Sequence, residues 1–249
     1  MTLTTARRIA VLMSKRRQYW RKIYNLARAN MIGFWRQNET AGAVSVDSSP
    51  EGNDGAYTGV DLANAAGPDG VFVPFWDGTN DYNNIQSVGL AADINVQEGT
   101  MMLWMRPFDA GVWTDGAIRW IMRVYRNADN YVEILKWSTN NQLIWRYKAA
   151  GVEKLRSSLT HNLTPWQLLT ITWSLSAGAT GEVRAYSNGV QVGATMDNLG
   201  TWNPANTPTI SIIGAQTLVP ANVWHGWLGP GLIWNIPLTP AQVLEAATI

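Results

Sequence analysis

The sequence predicts an all-β protein, an antiparallel sandwich preceded by a helical arm, and three observations predict it. Residues 165–173 alternate, with Trp166, Leu168, Thr170 and Thr172 on one face and Gln167, Leu169, Ile171 and Trp173 on the other. β-Branched and aromatic side chains dominate this run, as in a strand. Residues 181–193 then read as a strand, the pair Asn188-Gly189 and a second strand, the pattern of a hairpin closed by a type I′ turn. Composition agrees: 22 Gly and 14 Trp among 249 residues, only 15% of them charged, describe many turns and broad apolar faces. The length suits one large sandwich.

In chain order, residues 4–30 hold neither Gly nor Pro and are rich in Ala, Arg, Leu and Lys, which predicts a helix. Ile9, Leu12, Met13, Trp20, Ile23, Tyr24 and Ala27 form an uneven apolar stripe on it. Met31–Trp35 is a short strand, and the Gly/Asn/Asp/Ser-rich stretch after it is an irregular loop. Phe75–Tyr82 is a hairpin turning at Asp77-Gly78. Thr100–Pro107 is apolar almost throughout, which predicts a strand buried on both faces. Ile118–Arg126, Tyr131–Trp137 and Gln142–Tyr147 form a meander, with Arg123, Glu133, Lys136, Arg146 and Lys148 as polar members of its outward face. Strands at 209–214 and 223–234 follow, and Thr239 with Pro240 opens a closing helical turn.

Charge divides the chain. Nine of its 19 basic residues and none of its 18 acidic ones lie in residues 1–36, which leaves ten basic against 18 acidic residues in the rest. A basic arm leading an acidic body predicts two parts, residues 1–30 as a docking or oligomerisation arm and residues 31–249 as the sandwich. The expected docking residues are Arg7, Arg8, Lys15, Arg16, Arg17, Trp20, Arg21, Lys22, Ile23 and Tyr24. A helix packed on the sandwich or on a neighbouring subunit, docking onto an acidic protein, and contact with nucleic acid or a membrane surface are the competing readings. A purely solvated helix has no need of Trp20, Ile23 and Tyr24.

Several classes are excluded or disfavoured. With no Cys there are no disulfides and no thiolate chemistry. The two His residues, His161 and His225, are far apart, so a zinc site of the usual Cys/His kind is not expected, and neither is a cofactor. No apolar run reaches membrane-spanning length, and the apolar piece 9–13 followed by Lys15-Arg16-Arg17 is a poor signal peptide. There is no Gly-x-Ser-x-Gly elbow, no phosphate loop, and no nucleophile beside either His.

The stretches "PWQLLTITWS" and "GEVRAYSNGVQVG" together resemble the signature of the laminin-G-like, concanavalin A-like jelly-roll domains. Gly33-Phe34-Trp35, Asn38-Glu39-Thr40-Ala41-Gly42, Asp47-Ser48-Ser49 and Gly52–Gly59 are similar to that family's opening block, and Phe75–Tyr82 to its "F-D-G-x-x-D-Y" hairpin. The resemblance runs from about Ile32 to the C-terminus and implies a jelly-roll fold. It also makes Asp47, Asn53, Asp54, Asp77 and Asp81 candidate calcium ligands. Against that, Gly229-Pro230 replaces the acidic pair that usually follows in the family. Jelly-roll glucanases carry paired acids on one strand. No predicted strand here does, so no enzyme and no catalytic residue is expected.

The family's usual place outside cells, met here without a signal peptide, leads to the expectation of a non-enzymatic structural or adhesive virion protein of a tailed phage, assembled in the host cytoplasm as a capsid decoration or with the tail or fibre. Expected partners are a major capsid or tail protein, further copies of the chain, and surface glycans, with no nucleic acid. The alternative is a carbohydrate-binding module of a cell-surface system. Trp113, Trp202 and Trp224, near predicted loop ends, are the candidate sugar-stacking residues.

Overall fold

The computed structural model describes residues 19–138, 142–158 and 164–248. Two antiparallel sheets face each other. One has nine strands, in the order β14 (Val190–Gln191), β13 (Glu182–Ser187), β12 (Gln167–Ser174), β7 (Glu98–Pro107), β17 (His225–Trp234), β5 (Phe72–Asp77) and β4 (Asp61–Ala66). Two short strands complete it, β1 (Met31–Trp35) against β17 and β15 (Met196–Asp197) against β13. The other has eight, in the order β11 (Val152–Ser158), β10 (Leu143–Ala149), β9 (Asn130–Lys136), β8 (Arg119–Asn127), β16 (Ile210–Ile213), β6 (Tyr82–Asn84), β3 (Gly55–Thr58) and β2 (Val44–Ser45). The expected all-β sandwich is therefore present. Its expected hairpin is present too, with Asn188 at φ 49° and Gly189 at φ 80°, the left-handed pair that a type I′ turn requires.

The core between the sheets follows from strand alternation. Leu103, Met105, Leu169, Ile171 and Trp173 point inward from one sheet, and Val124, Val132, Ile134, Trp145 and Tyr147 from the other. Burying rings of this size dominates the stability of the sandwich. Trp113, Trp202 and Trp224 belong to this core as well.

The nine-stranded sheet is buried on part of its outer face too. Tyr19, Trp20, Ile23 and Leu26 from α1 (residues 19–25) and the turn after it pack there on Phe34, Met102, Trp104, Leu168, Leu232 and Trp234. A short helix, α2 (Val88–Asp93), lies between β6 and β7 in the chain, and Val243 and Ala246 of α3 (Pro240–Ala246) close the same cluster. Trp104 Nε1 donates to Tyr19 Oη at 3.0 Å, and Tyr19 Oη donates to the Ala246 carbonyl at 2.9 Å. α3 is capped as its sequence predicts, with Thr239 and Gln242 bonding each other's backbone.

Polar groups fix the loop after β1. Asp47 Oδ1 accepts from the N–H groups of Phe34 at 2.7 Å and Ser49 at 2.8 Å. Its Oδ2 accepts from Ser49 Oγ at 2.6 Å and the Asn53 N–H at 2.7 Å. Asn53 in turn donates to the Ile32 carbonyl and accepts from Ser87 Oγ. These hydrogen bonds occupy both Asp47 oxygens inside the fold, which makes the loop a rigid connector. Among the described residues no cluster of three or more His, Asp or Glu side chains is arranged to hold a metal ion. No described helix is long and apolar enough to cross a membrane.

Candidate functional site

The outer face of the eight-stranded sheet carries an ordered set of polar and aromatic side chains. Register builds it in rows across β8, β9 and β10. Trp120, Leu135 and Ile144 make the first row, Arg123, Glu133 and Arg146 the second, and Tyr125, Tyr131 and Lys148 the third. β11 extends the rows with Ser157, Leu155 and Glu153. The first row is a small apolar cluster with Ile118 and Trp137 beside it. Cross-strand neighbours of this kind are the unit by which a sheet face is stabilised and patterned.

Glu133 is the centre. Its side chain is fully buried, an uncommon place for a carboxylate unless it is paired. Oε2 accepts from Trp120 Nε1 at 3.0 Å and pairs with Arg123 Nε at 2.9 Å, while Oε1 is ion-paired with Arg146. Arg123 also donates to the Gln216 carbonyl at 2.9 Å. Burial pulls the Arg123 guanidinium below its ordinary range, and the Glu133 charge opposes that pull. With both oxygens engaged, Glu133 serves as a structural counter-ion. It holds two guanidinium planes against the sheet.

Rings surround this triad. The Arg123 guanidinium lies 3.9 Å from the Tyr125 ring centroid, and Arg146 lies 5.4 Å from Tyr131 and 5.8 Å from Trp137. Tyr125 and Tyr131 stack at 6.4 Å and 17°. The Tyr131 hydroxyl donates to the Glu153 carboxylate, and burial with that bond raises its pKa. Lys148 donates to the Ala128 carbonyl at the rim. Trp120 and Tyr131 are 4% and 7% exposed and belong to the packing of the sheet, while Tyr125 and Trp137 are half-buried and keep part of their rings open. Open rings beside guanidinium planes held in place can stack on ring-shaped ligands. Of the described carboxylates on this face, Glu133 is held by Trp120, Arg123 and Arg146 and Glu153 by Tyr131.

The structure relocates several predicted residues. Trp113, Trp202 and Trp224 are 1%, 1% and 0% exposed, so their rings have no face left for a sugar. A Trp at a loop end that also points between the sheets is core, and the edge-on contact of Trp113 with Trp224 is part of that packing. Lys136, expected on the outward face, points the other way with Val132 and Ile134 and bonds Asp115 at 2.6 Å and the Ala117 carbonyl at 2.7 Å. Of the expected docking residues, Trp20 and Ile23 pack on this chain's own sheet, where the apolar stripe finds Phe34 and Trp104 as its complement. Tyr24 is half-buried beneath Arg28. Lys22 donates to the Thr248 carbonyl, and Arg21 is exposed. Arg7, Arg8, Lys15, Arg16 and Arg17 lie outside the described residues. The rings at Tyr125 and Trp137 were not singled out from sequence, although the alternation of these strands with Val124, Val132 and Ile134 places them on the outer face.

Comparison with known proteins bears on this geometry. The family model described as the concanavalin A-like lectin/glucanases superfamily matches residues 77–244. No curated protein matches the sequence. Among solved structures, the receptor-binding domain of botulinum neurotoxin C/D mosaic serotype is similar at TM-score 0.66 and 12% identity, over 88% of this chain and 51% of that one. The botulinum neurotoxin type G receptor-binding domain is similar at TM-score 0.59 and 15% identity, over 88% and 51%. Domain 4 of AbnA, an extracellular arabinanase from Geobacillus stearothermophilus, in complex with arabinotriose, is similar at TM-score 0.61 and 15% identity, over 88% and 98%. The chain spans about half the length of the neurotoxin domains it matches.

Proposed function

The chain belongs to the concanavalin A-like lectin/glucanases superfamily, and from that premise we propose that it is a non-catalytic adhesive protein whose eight-stranded sheet binds glycans. The observation that carries this reading is Glu133. Both oxygens of this buried acid are engaged by Trp120, Arg123 and Arg146, and the half-buried rings of Tyr125 and Trp137 beside it are left to bind. A domain of the same fold, the arabinanase domain 4, is described in complex with arabinotriose, which supports a sugar as the ligand class.

The finer reading is a tailed-phage virion component that reaches its particle through the basic residues preceding the sandwich. Residues 19–30 belong to the folded body by their packing, so the anchoring function falls to Arg7, Arg8, Lys15, Arg16 and Arg17. A cell-surface carbohydrate-binding module shares the glycan face and differs in having no particle to bind.

Two measurements test the reading. A glycan array is probed with the full chain and with Tyr125→Ala and Trp137→Ala. The expected result is saturable binding that falls at least tenfold in both variants, the scale of about 1–2 kcal/mol for a stacked ring. Equal binding by the variants, or hydrolysis of a bound polysaccharide, overturns it. Purified phage particles from the source are then mixed with the full chain and with a chain lacking residues 1–18. Binding by the full chain alone supports the virion reading, and binding by neither removes it in favour of the module.

A further inference from the structure

The outer face of the nine-stranded sheet is only half covered. Beyond the cluster beneath α1 and α3, its remaining end carries rings. Cross-strand register sets Phe75 of β5 beside Trp227 of β17, and Trp227 beside Arg106 of β7. His225, two residues before Trp227, shares its face. Phe108 lies over His225 with centroids 4.8 Å apart and planes 9° apart, and Phe75 meets Phe108, His225 and Trp227 at 5.2–5.9 Å. Phe108 is 49% exposed. Burial lowers the His225 pKa, which favours the uncharged ring against Phe108.

Arg106 completes the surface. Its guanidinium is 3.9 Å from the Trp227 ring and 5.4 Å from the Trp166 ring. The two indoles are themselves anchored, Trp227 Nε1 to Asn64 Oδ1 at 2.9 Å and Trp166 Nε1 to the Ala66 carbonyl at 3.3 Å. No described residue gives Arg106 an ion pair, in contrast to Arg119, Arg123, Arg146 and Arg184. Burial lowers its pKa, and no described acid opposes that shift. A planar cation is thus held against two aromatic rings, and no described residue takes its row of N–H donors. Such a fork matches a carboxylate in two parallel bonds.

We propose that Arg106, Phe108, Trp166 and Trp227 form a second binding site, for a carboxylate-bearing sugar such as a uronic or sialic acid. The apolar face of the sugar ring stacks on Phe108 and Trp227, and its carboxylate takes the Arg106 fork. A sugar is favoured over an acidic peptide because β7, β17 and β5 are all interior strands of the sheet. Each is flanked by a paired strand on both sides, so the surface has no strand edge on which a peptide main chain could add. The site lies on the opposite side of the sandwich from Glu133 and does not depend on the glycan face proposed above.

The test is calorimetric titration of the full chain with sialyllactose and with oligogalacturonate, each against its uncharged counterpart, lactose and methyl-esterified oligogalacturonate. At least one acidic sugar is expected to bind tenfold or more tighter than its counterpart, and the preference is expected to shrink as salt is raised. Arg106→Gln is expected to abolish the preference and Arg106→Lys to weaken it. Phe108→Ala, at an exposed position, is expected to weaken the acidic and uncharged sugars alike. Trp137→Ala on the other sheet is expected to leave the preference intact, which separates this site from the first. Equal affinities for acidic and uncharged sugars, an unchanged preference in Arg106→Gln, or tighter binding of an oligoglutamate than of either acidic sugar would each overturn the proposal.

Discussion

Two buried carboxylates, Glu133 and Asp81, show how surroundings give one chemical group opposite roles. Glu133 is stabilised as an ion by Arg123, Arg146 and the Trp120 N–H. Removing it strands two cations against the sheet, and breaking such a pair costs about 3–5 kcal/mol where both partners are buried. Glu133→Ala is therefore expected to lose stability of that order in urea denaturation, and Glu133→Gln less, since its amide oxygen still accepts from Trp120. Asp81 is disfavoured as an ion. Burial, with the charges of Asp77 and Asp61 nearby, raises its pKa from 3.8 to about 6. The folded chain then holds a proton that the unfolded chain releases between those values. Asp81 contributes its full stability below about pH 4 and loses it as pH rises through 6. Asp81→Asn, whose amide oxygen can still accept from the Asp77 N–H, is expected to flatten the stability curve across that window. An unchanged slope would assign the pH dependence to other groups. Neither role was legible in sequence, where Glu133 is one polar member of an alternating strand and Asp81 one Asp of a turn. The partners that decide both are brought in by neighbouring strands. The same limit explains Trp113, Trp202 and Trp224, since a Trp at a loop end reads identically whether it faces sugar or core.

At the scale of elements, periodicity marks strands well and leaves the covering of a face open. The alternation over residues 165–173 and the Asn188-Gly189 turn led directly to β12, β13 and β14, because both signals are local. The stripe of Trp20, Ile23 and Tyr24 showed that α1 must be covered and was silent on by what. Its cover is Phe34, Met102, Trp104, Leu168 and Leu232. Truncations separate the two parts of the arm. Removing residues 1–18 is expected to leave the melting temperature within a few degrees of the full chain. Removing residues 1–30 uncovers that apolar face and takes the Trp104 and Trp234 indole N–H groups away from Tyr19 and the Leu26 carbonyl. Exposed surface of this kind associates, so the shorter chain is expected to aggregate or to melt far lower in differential scanning calorimetry. Ile23→Ala alone is expected to cost about 2–4 kcal/mol, as for other large-to-small changes in a core.

At the scale of the whole molecule, strand order is what no local pattern carries. β17 is the last strand in the chain, yet it lies between β7 and β5 and also pairs with β1, nearly two hundred residues earlier. Its apolar run at residues 223–234 showed a buried strand. Its position as the joint of the nine-stranded sheet follows from partners far away in sequence, and long-range pairing of this kind must be made before it is rewarded. Without β17 the strands β7 and β5 face each other across a gap, with unpaired backbone groups on both, and burying those groups unpaired is costly. The sandwich is therefore one cooperative unit that closes through its C-terminal strand. A chain ending at Asn222 is expected to show no cooperative thermal transition. A chain ending at Leu238 keeps β17 and loses only α3, whose Val243 and Ala246 are buried. It is expected to retain a single transition, lowered by roughly 5–15 °C if α3 contributes about 2–4 kcal/mol. Scanning calorimetry of the two chains decides the matter. A cooperative transition in the shorter one would mean that the eight-stranded sheet and the strands before β17 fold without the joint.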